Sequence, residues 1–166
     1  SSLDMFVSMW KCPFGGCGIA KKEIARVPFF GLAYKLSGHL LIDRSNRENS
    51  IADLKDLADI VRKNSLSIWI WPEGTRSKDG RLQRMKKGFA HLAIATGLPV
   101  VPVVMHGAHW RWPNPGFSFR PGFLELEVLP PIDTSEWTIE NIEEHVQLVW
   151  DQFNQALTVE QRPVPA

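Results

Sequence analysis

Residues 69–77 read Trp-Ile-Trp-Pro-Glu-Gly-Thr-Arg-Ser and hold the densest set of chemically useful groups in the chain. An apolar run from Leu66 to Trp71 stops at Pro72. An acid, a glycine, a hydroxyl and a guanidinium follow at Glu73, Gly74, Thr75 and Arg76. Glycine lets backbone come close to a ligand, and the planar guanidinium fork matches two phosphate oxygens. The chemistry in reach is phosphate capture at the end of a buried strand. The plainer alternative is a polar strand-to-helix turn with an ordinary surface Arg. On these residues alone both readings stay open.

Two further segments bear on the choice. Gly38, Ile42, Asp43 and Arg44 precede the block. Gly97, Pro99, Val100, Val101, Pro102 and Val103 follow it. With Pro72-Glu73-Gly74-Thr75-Arg76 between them, and the lead-in Ala20-Lys21-Lys22-Glu23, the chain resembles the glycerolipid acyltransferases related to 1-acyl-glycerol-3-phosphate acyltransferase. The matching family blocks are "G…IDR", "PEGTR" and "G-x-P-[VI]-V-P-V". The resemblance runs from residue 1 to about Ala108. The family's first block is Asn-His-x-Ser-x-x-Asp, and Ser1, Ser2, Leu3 and Asp4 match its second half. The His of that pattern would lie two residues before Ser1. The expectation is therefore a fragment or trimmed chain that begins just past its general base and does not turn over by itself. The rival is a protein that has lost the base.

The resemblance implies acyl transfer from a thioester to a hydroxyl. That reaction needs a base for the hydroxyl, donors for the developing oxyanion, a grip on the acceptor and an apolar slot for the chain. It implies Asp4 as the carboxylate that orients the upstream His and stabilises its imidazolium, the logic of serine hydrolases. It implies Arg44 and Arg76 as bidentate phosphate ligands. Gly74 and Thr75 are expected to donate backbone amides beside that phosphate. Glu73 belongs to the same phosphate-binding block as a support, because its carboxylate would repel a phosphate directly; it holds an Arg or backbone amides, or binds an acceptor hydroxyl. Lys22 is either a charge near the reacting centre or a surface lysine. Pro99, Val101 and Pro102 are read as strand residues near the acyl slot, more structural than catalytic. No metal and no bound cofactor is expected; acyl-CoA or acyl carrier protein would be a co-substrate.

Composition sets the outer bounds. A chain of 166 residues, 44% apolar and 22% charged, suits one globular domain. A net charge of +1 exerts no strong pull on nucleic acid, and no nucleic-acid motif appears. The charge is uneven. Arg76, Lys78, Arg81, Arg84, Lys86 and Lys87 face one acid, Asp79, whereas residues 136–151 are acidic. The basic stretch carries the motif, which suits an anionic substrate or membrane surface; a solvated face is the alternative. Cys12 and Cys17 are the only cysteines, too few for a four-cysteine zinc site, and are expected to be reduced. No apolar run reaches 18 residues, so none spans a bilayer. The chain has seven Trp and nine Phe, with Trp10, Phe14, Phe29 and Phe30 early and Trp110, Trp112, Phe117 and Phe119 in a Pro/Gly-rich loop. Aromatics beside bases suit a membrane interface or an acyl groove, and core packing claims about half of them. None of the five histidines stands at useful spacing from an acid.

The elements that must position these groups alternate strand and helix. This predicts an α/β fold, a single domain over residues 1–160 with a central, mostly parallel or mixed sheet flanked by helices, and a tail over 161–166. Helices are expected from Asp4 to Trp10, Phe29 to Leu36, Ser50 to Lys63, Lys86 to Ala95 and around Ile139 to Phe153. Ser50 and Asp53 look like a capping box. Strands are expected at Ile19–Lys22, Leu40–Ile42, Leu66–Trp71 (central), Val100–Met105 and Leu124–Leu129, with Pro102 marking an edge or bulge. Residues 109–121 read as a loop or broken hairpin.

Two classes of function follow. One is an enzyme acylating a lysophospholipid, first 1-acyl-glycerol-3-phosphate, with glycerol 3-phosphate or a lyso-ornithine lipid as alternative acceptors. The other is a catalytically dead lipid-binding domain. The enzyme is expected on the cytoplasmic face of a membrane.

Overall fold

The computed structural model describes residues 3–13, 15–21, 32, 40–42, 47–113 and 118–164. It divides into two compact units, residues 12–70 and residues 1–11 with 71–166. The expected helix over Phe29–Leu36 lies outside the described residues, save Leu32.

Among the described residues the 12–70 unit holds a parallel three-stranded sheet and the helix Arg47–Lys63. Strand β1 (Gly16–Lys21) lies between β2 (Leu40–Ile42) and β3 (Ser67–Trp69). Ile19 pairs with Leu40 and Cys17 with Ile68. The middle position belongs to β1, not to the Leu66–Trp71 run, which contributes only three strand residues. Parallel neighbours need a crossover, and the helix Arg47–Lys63 supplies the one between β2 and β3. This helix, α2 (α1 is Leu3–Lys11), buries Leu57, Ala58 and Val61, the face its periodicity predicts. It starts three residues before Ser50. Arg47, Glu48 and Asn49 contain no breaker, so Ser50 is an interior helical residue and cannot be the cap. The other end closes by a Schellman pair. Leu66 N–H donates to the Val61 carbonyl (2.9 Å) and Ser65 N–H to the Arg62 carbonyl (3.2 Å), with Ser65 at φ 50°.

At the entry to β1 the chain folds tightly. A Cβ on Gly16 would collide with the Cys12 sulfur and stand 2.8 Å from the Pro13 carbonyl oxygen. Both cysteines are free thiols, and burial pushes both pKa values up, Cys17 also through the nearby Cys12. Cys17 Sγ donates to the Ser67 carbonyl at 3.5 Å.

The second unit is built on α1, α3 (Gly88–Thr96), α5 (Ile142–Ala156) and an antiparallel pair, β4 (Val103–His106) with β5 (Glu125–Val128). Helix α4 is one turn, Ala108–Arg111. Phe89, Leu92 and Ala93 of α3, Val104 of β4, and Ile142 and Val149 of α5 are buried. Ile139 lies outside α5 and is exposed, so the apolar pattern there begins one turn too early.

The run expected as strand from Val100 forms only from Val103. Val100 makes a single bridge to Ile132, and the buried Pro102 accepts a hydrogen bond from Leu129 N–H at 2.9 Å. With no N–H of its own, Pro102 fits immediately before the strand. Gly97, at φ 68°, ends α3 by donating to the Ala93 carbonyl at 2.8 Å.

Candidate active site

The Pro72–Arg76 segment opens in a β-turn over residues 71–74. Gly74 N–H donates to the Trp71 carbonyl at 3.1 Å, with Pro72 in the second position and Gly74, at φ 65°, in the fourth. These are the residues such a turn prefers. The Gly74 amide is thus engaged inside the turn. Thr75 and Arg76 are exposed.

A long loop returns from the turn and is tied at its base, where Lys86 N–H donates to the Pro72 carbonyl at 2.8 Å. Glu73 is half-buried, and its Oε1 accepts the Gln83 amide at 2.7 Å. The carboxylate therefore braces the loop. The Gln83 side chain donates to the Arg81 carbonyl (3.0 Å), and Leu82 N–H donates to the Gln161 carbonyl (2.8 Å). Asp79 accepts the Ser77 hydroxyl (2.7 Å) and the Arg81 amide (3.1 Å). These two donors, the hydroxyl first, hold its carboxyl below the usual range. Arg81 Nη1 donates to the Arg162 carbonyl at 2.7 Å, so this base is partly occupied by structure.

Lys86 was counted in the sequence only as part of a basic stretch, yet its side chain lies across Gly74. A Cβ there would stand 3.0 Å from its Cδ and 3.2 Å from its Nζ. Its neighbour Lys87 points elsewhere and pairs with Glu143 of α5.

Asp4 is the second residue of α1. It falls in the same compact unit as residues 72–76. Lys22 and Arg44 lie outside the described residues. Pro99 is exposed, Val101 is 48% exposed and Pro102 is buried. The strand expected from Val100 therefore forms only from Val103, just after the buried Pro102.

One acid–base pair escaped the sequence reading. His106 Nε2 lies 2.9 Å from Glu127 Oε2, a diagonal contact between β4 and β5. Its Nδ1 is buried without a partner among the described residues. A hollow of about 400 Å³ beside it is lined by His106, Gly107, Trp110, Phe123, Glu125 and Gln161, among others. No residue of the 72–76 turn lines it. No group of His, Cys, Asp and Glu able to hold a metal occurs among the described residues.

Aromatic side chains gather on the outer face of α1. Phe6 is 53% exposed and stacks on Trp112 at 6.0 Å. Trp112 packs on Phe119 at 4.1 Å. Trp10 is 76% exposed under the Lys11 ammonium, which is 3.8 Å from the ring centroid. Phe6 was missed in the sequence, although it lies four residues before Trp10 and so shares its helical face. Phe14 lies outside the described residues. No described helix is long and apolar enough to cross a membrane.

Residues 1–106 match the family model described as Acyltransferase. The chain belongs to the acyltransferase family. The acyltransferase chain is 40% identical over 164 residues to the 1-acyl-sn-glycerol-3-phosphate acyltransferase of Limnanthes douglasii, covering 99% of this chain and 58% of that protein. It is 36% identical over 137 residues to the enzyme of the same name from Escherichia coli K12, covering 81% of this chain and 55% of that one. The crystal structure of the 1-acyl-sn-glycerophosphate (LPA) acyltransferase PlsC from Thermotoga maritima superposes with a TM-score of 0.65 at 28% identity, over 85% of this chain and 55% of that chain. The α/β fold expected from the strand–helix alternation is thus the fold of that structure. The chain spans a little over half the length of these relatives.

Proposed function

We propose that the protein transfers a fatty acyl group from acyl-CoA or acyl carrier protein to the free hydroxyl of 1-acyl-glycerol-3-phosphate, giving phosphatidic acid. The observation that carries this reading is 40% identity across 99% of the chain to a protein named for that reaction. The geometry of the Pro72–Arg76 turn is consistent with it. Arg76, just past the turn, is exposed, and Glu73 braces the loop through the Gln83 backbone amide.

The steps follow from the residue types. Arg76 grips the phosphate of the acceptor and sets its free hydroxyl. A histidine oriented by Asp4 accepts the hydroxyl proton as the oxygen attacks the thioester carbonyl. The tetrahedral intermediate collapses, the carbon–sulfur bond breaks, and the thiolate leaves as thiol after taking up that proton. The histidine of the motif is not among residues 1–166. Acceptor and donor meet at the cytoplasmic face of a membrane, where Phe6, Trp10 and Lys11 make contact.

The test is thiol release from acyl-CoA by the full-length protein, with lysophosphatidate, glycerol 3-phosphate and a lyso-ornithine lipid offered in parallel. Turnover highest with lysophosphatidate supports the proposal. A clear preference for either other acceptor reassigns the substrate. Release with no acceptor dependence would sink it.

A further inference from the structure

We propose that Lys86 is an additional ligand for the acceptor's phosphate, its side chain lying across Gly74. The inference rests on the acyl-acceptor reading above and adds a cation to the same site.

The first observation is the path of the side chain. At Gly74 a Cβ would stand 3.0 Å from Lys86 Cδ, 3.1 Å from Cε and 3.2 Å from Nζ. The last three atoms of the lysine thus run along the turn, with the ammonium included. Contacts of 3.0–3.2 Å are tight for a Cβ, so any side chain at position 74 would make the lysine give by a few tenths of an ångström. The φ of 65° there independently favours glycine.

The second observation is how the lysine is held. Its backbone N–H donates to the Pro72 carbonyl at 2.8 Å, which sets its stem beside the turn. The next residue takes the opposite course, since Lys87 pairs with Glu143. Among the described residues Lys86 has no ion-pair partner. The carboxylate nearest along the chain to Gly74 is Glu73, and its Oε1 is occupied by the Gln83 amide. Among the described residues no carboxylate pairs with the ammonium that lies along this turn.

The third observation is Arg76. Successive Cα atoms are about 3.8 Å apart, so the Cα of Arg76 lies within about 7.6 Å of the Cα of Gly74. Both long cationic side chains are exposed, Arg76 two residues past Gly74 and Lys86 lying across it. A phosphate monoester dianion carries three non-bridging oxygens, enough for a guanidinium fork and an ammonium together. The arrangement selects a phosphomonoester over a lysolipid whose headgroup has no dianion.

The experiment uses the full-length protein and measures kcat and KM for lysophosphatidate and for acyl-CoA. Lys86→Met should raise the acceptor KM by about tenfold, the effect of losing one charged hydrogen-bonding partner. The donor KM and the melting temperature should stay put. Lys86→Arg should recover most of the loss. Lys87→Met, which removes the same charge one residue away, should leave the acceptor KM unchanged. Competition by free glycerol 3-phosphate should weaken in Lys86→Met in step with the acceptor KM. Gly74→Ala should raise the acceptor KM in the parent but add little in the Lys86→Met background, because both act on one contact. If Lys86→Met matches Lys87→Met while Arg76→Ala still raises the acceptor KM, the lysine assignment is overturned and the proposed function stands. If Lys86→Met lowers kcat with KM intact, Lys86 is not a ground-state phosphate ligand. If the parent protein ignores lysophosphatidate altogether, the functional reading itself falls.

Discussion

Arg76 and Asp79 stand three residues apart in one loop and do different work. Arg76 is exposed at the turn, whereas Asp79 folds the loop onto itself through the Ser77 hydroxyl and the Arg81 amide. Arg76→Ala should raise the acceptor KM by about ten- to a hundredfold, with a smaller change for the acyl donor. Initial-rate kinetics on the full-length protein would show this, and unchanged acceptor kinetics would place the phosphate elsewhere. Asp79 gives a pH signature. Its carboxyl titrates lower in the folded chain than in the unfolded one, so the folded state binds fewer protons. Its stabilising contribution is complete above about pH 4 and is lost as pH falls through the depressed folded value. An NMR titration of the Asp79 carboxyl carbon should give a midpoint below about 4. Ser77→Ala should move that midpoint up, because the hydroxyl is the largest cause. A midpoint insensitive to Ser77 would mean that the hydroxyl does not hold the carboxylate.

Helix α2 shows how an element is decided by its two ends and its inner face. Its last turn places Ser65 in the left-handed region, at φ 50°, where glycine is at ease and a side chain is strained. Ser65→Gly should therefore stabilise the protein by about 1 kcal/mol, read as a higher denaturant midpoint at unchanged slope. No gain would show that the C-terminal cap is relaxed in solution. The inner face should behave in the opposite sense. Leu57 is buried beside Ala58 and Val61, and Leu57→Ala removes packing that cannot fully close. The expected loss is about 2–5 kcal/mol. A loss under about 0.5 kcal/mol, the size of an ordinary surface change, would mean that this face is not packed.

At the scale of the whole molecule the question is how the proposed lysolipid acyltransferase would meet its lipid. The outer face of α1 answers with Phe6 and Trp10 beside Lys11, continued by Trp112 and Phe119, which is itself 63% exposed. Aromatic rings with a polar or charged edge are favoured at the headgroup level. Anionic vesicles should bind the protein better than neutral ones. Added salt should weaken that binding, since exposed charges are screened over about 8–10 Å. The double variant Phe6→Ser/Trp10→Ser should weaken binding to both vesicle types, because it removes the apolar share. Co-sedimentation across lipid charge and salt would test the three statements together. Binding indifferent to the double variant would show that another surface docks.

Much of this was legible in the sequence because short-range physics determines it. The period of Leu54, Leu57, Ala58 and Val61 required a helix with one buried face, and Pro72 and Gly74 are the residues a β-turn prefers. The order of the three motif blocks by itself points to the acyltransferase family. Only the tertiary structure decided what depended on the path of the chain. It laid Lys86 across Gly74, twelve residues away, and joined His106 to Glu127, twenty-one residues away. It also left Pro99 and Val101 exposed where an apolar run suggested core, and began α2 before its apparent cap. The physical reason is the same in each case. Hydropathy and propensity report on neighbours along the chain, whereas a contact between distant residues exists only once the backbone between them has taken its course.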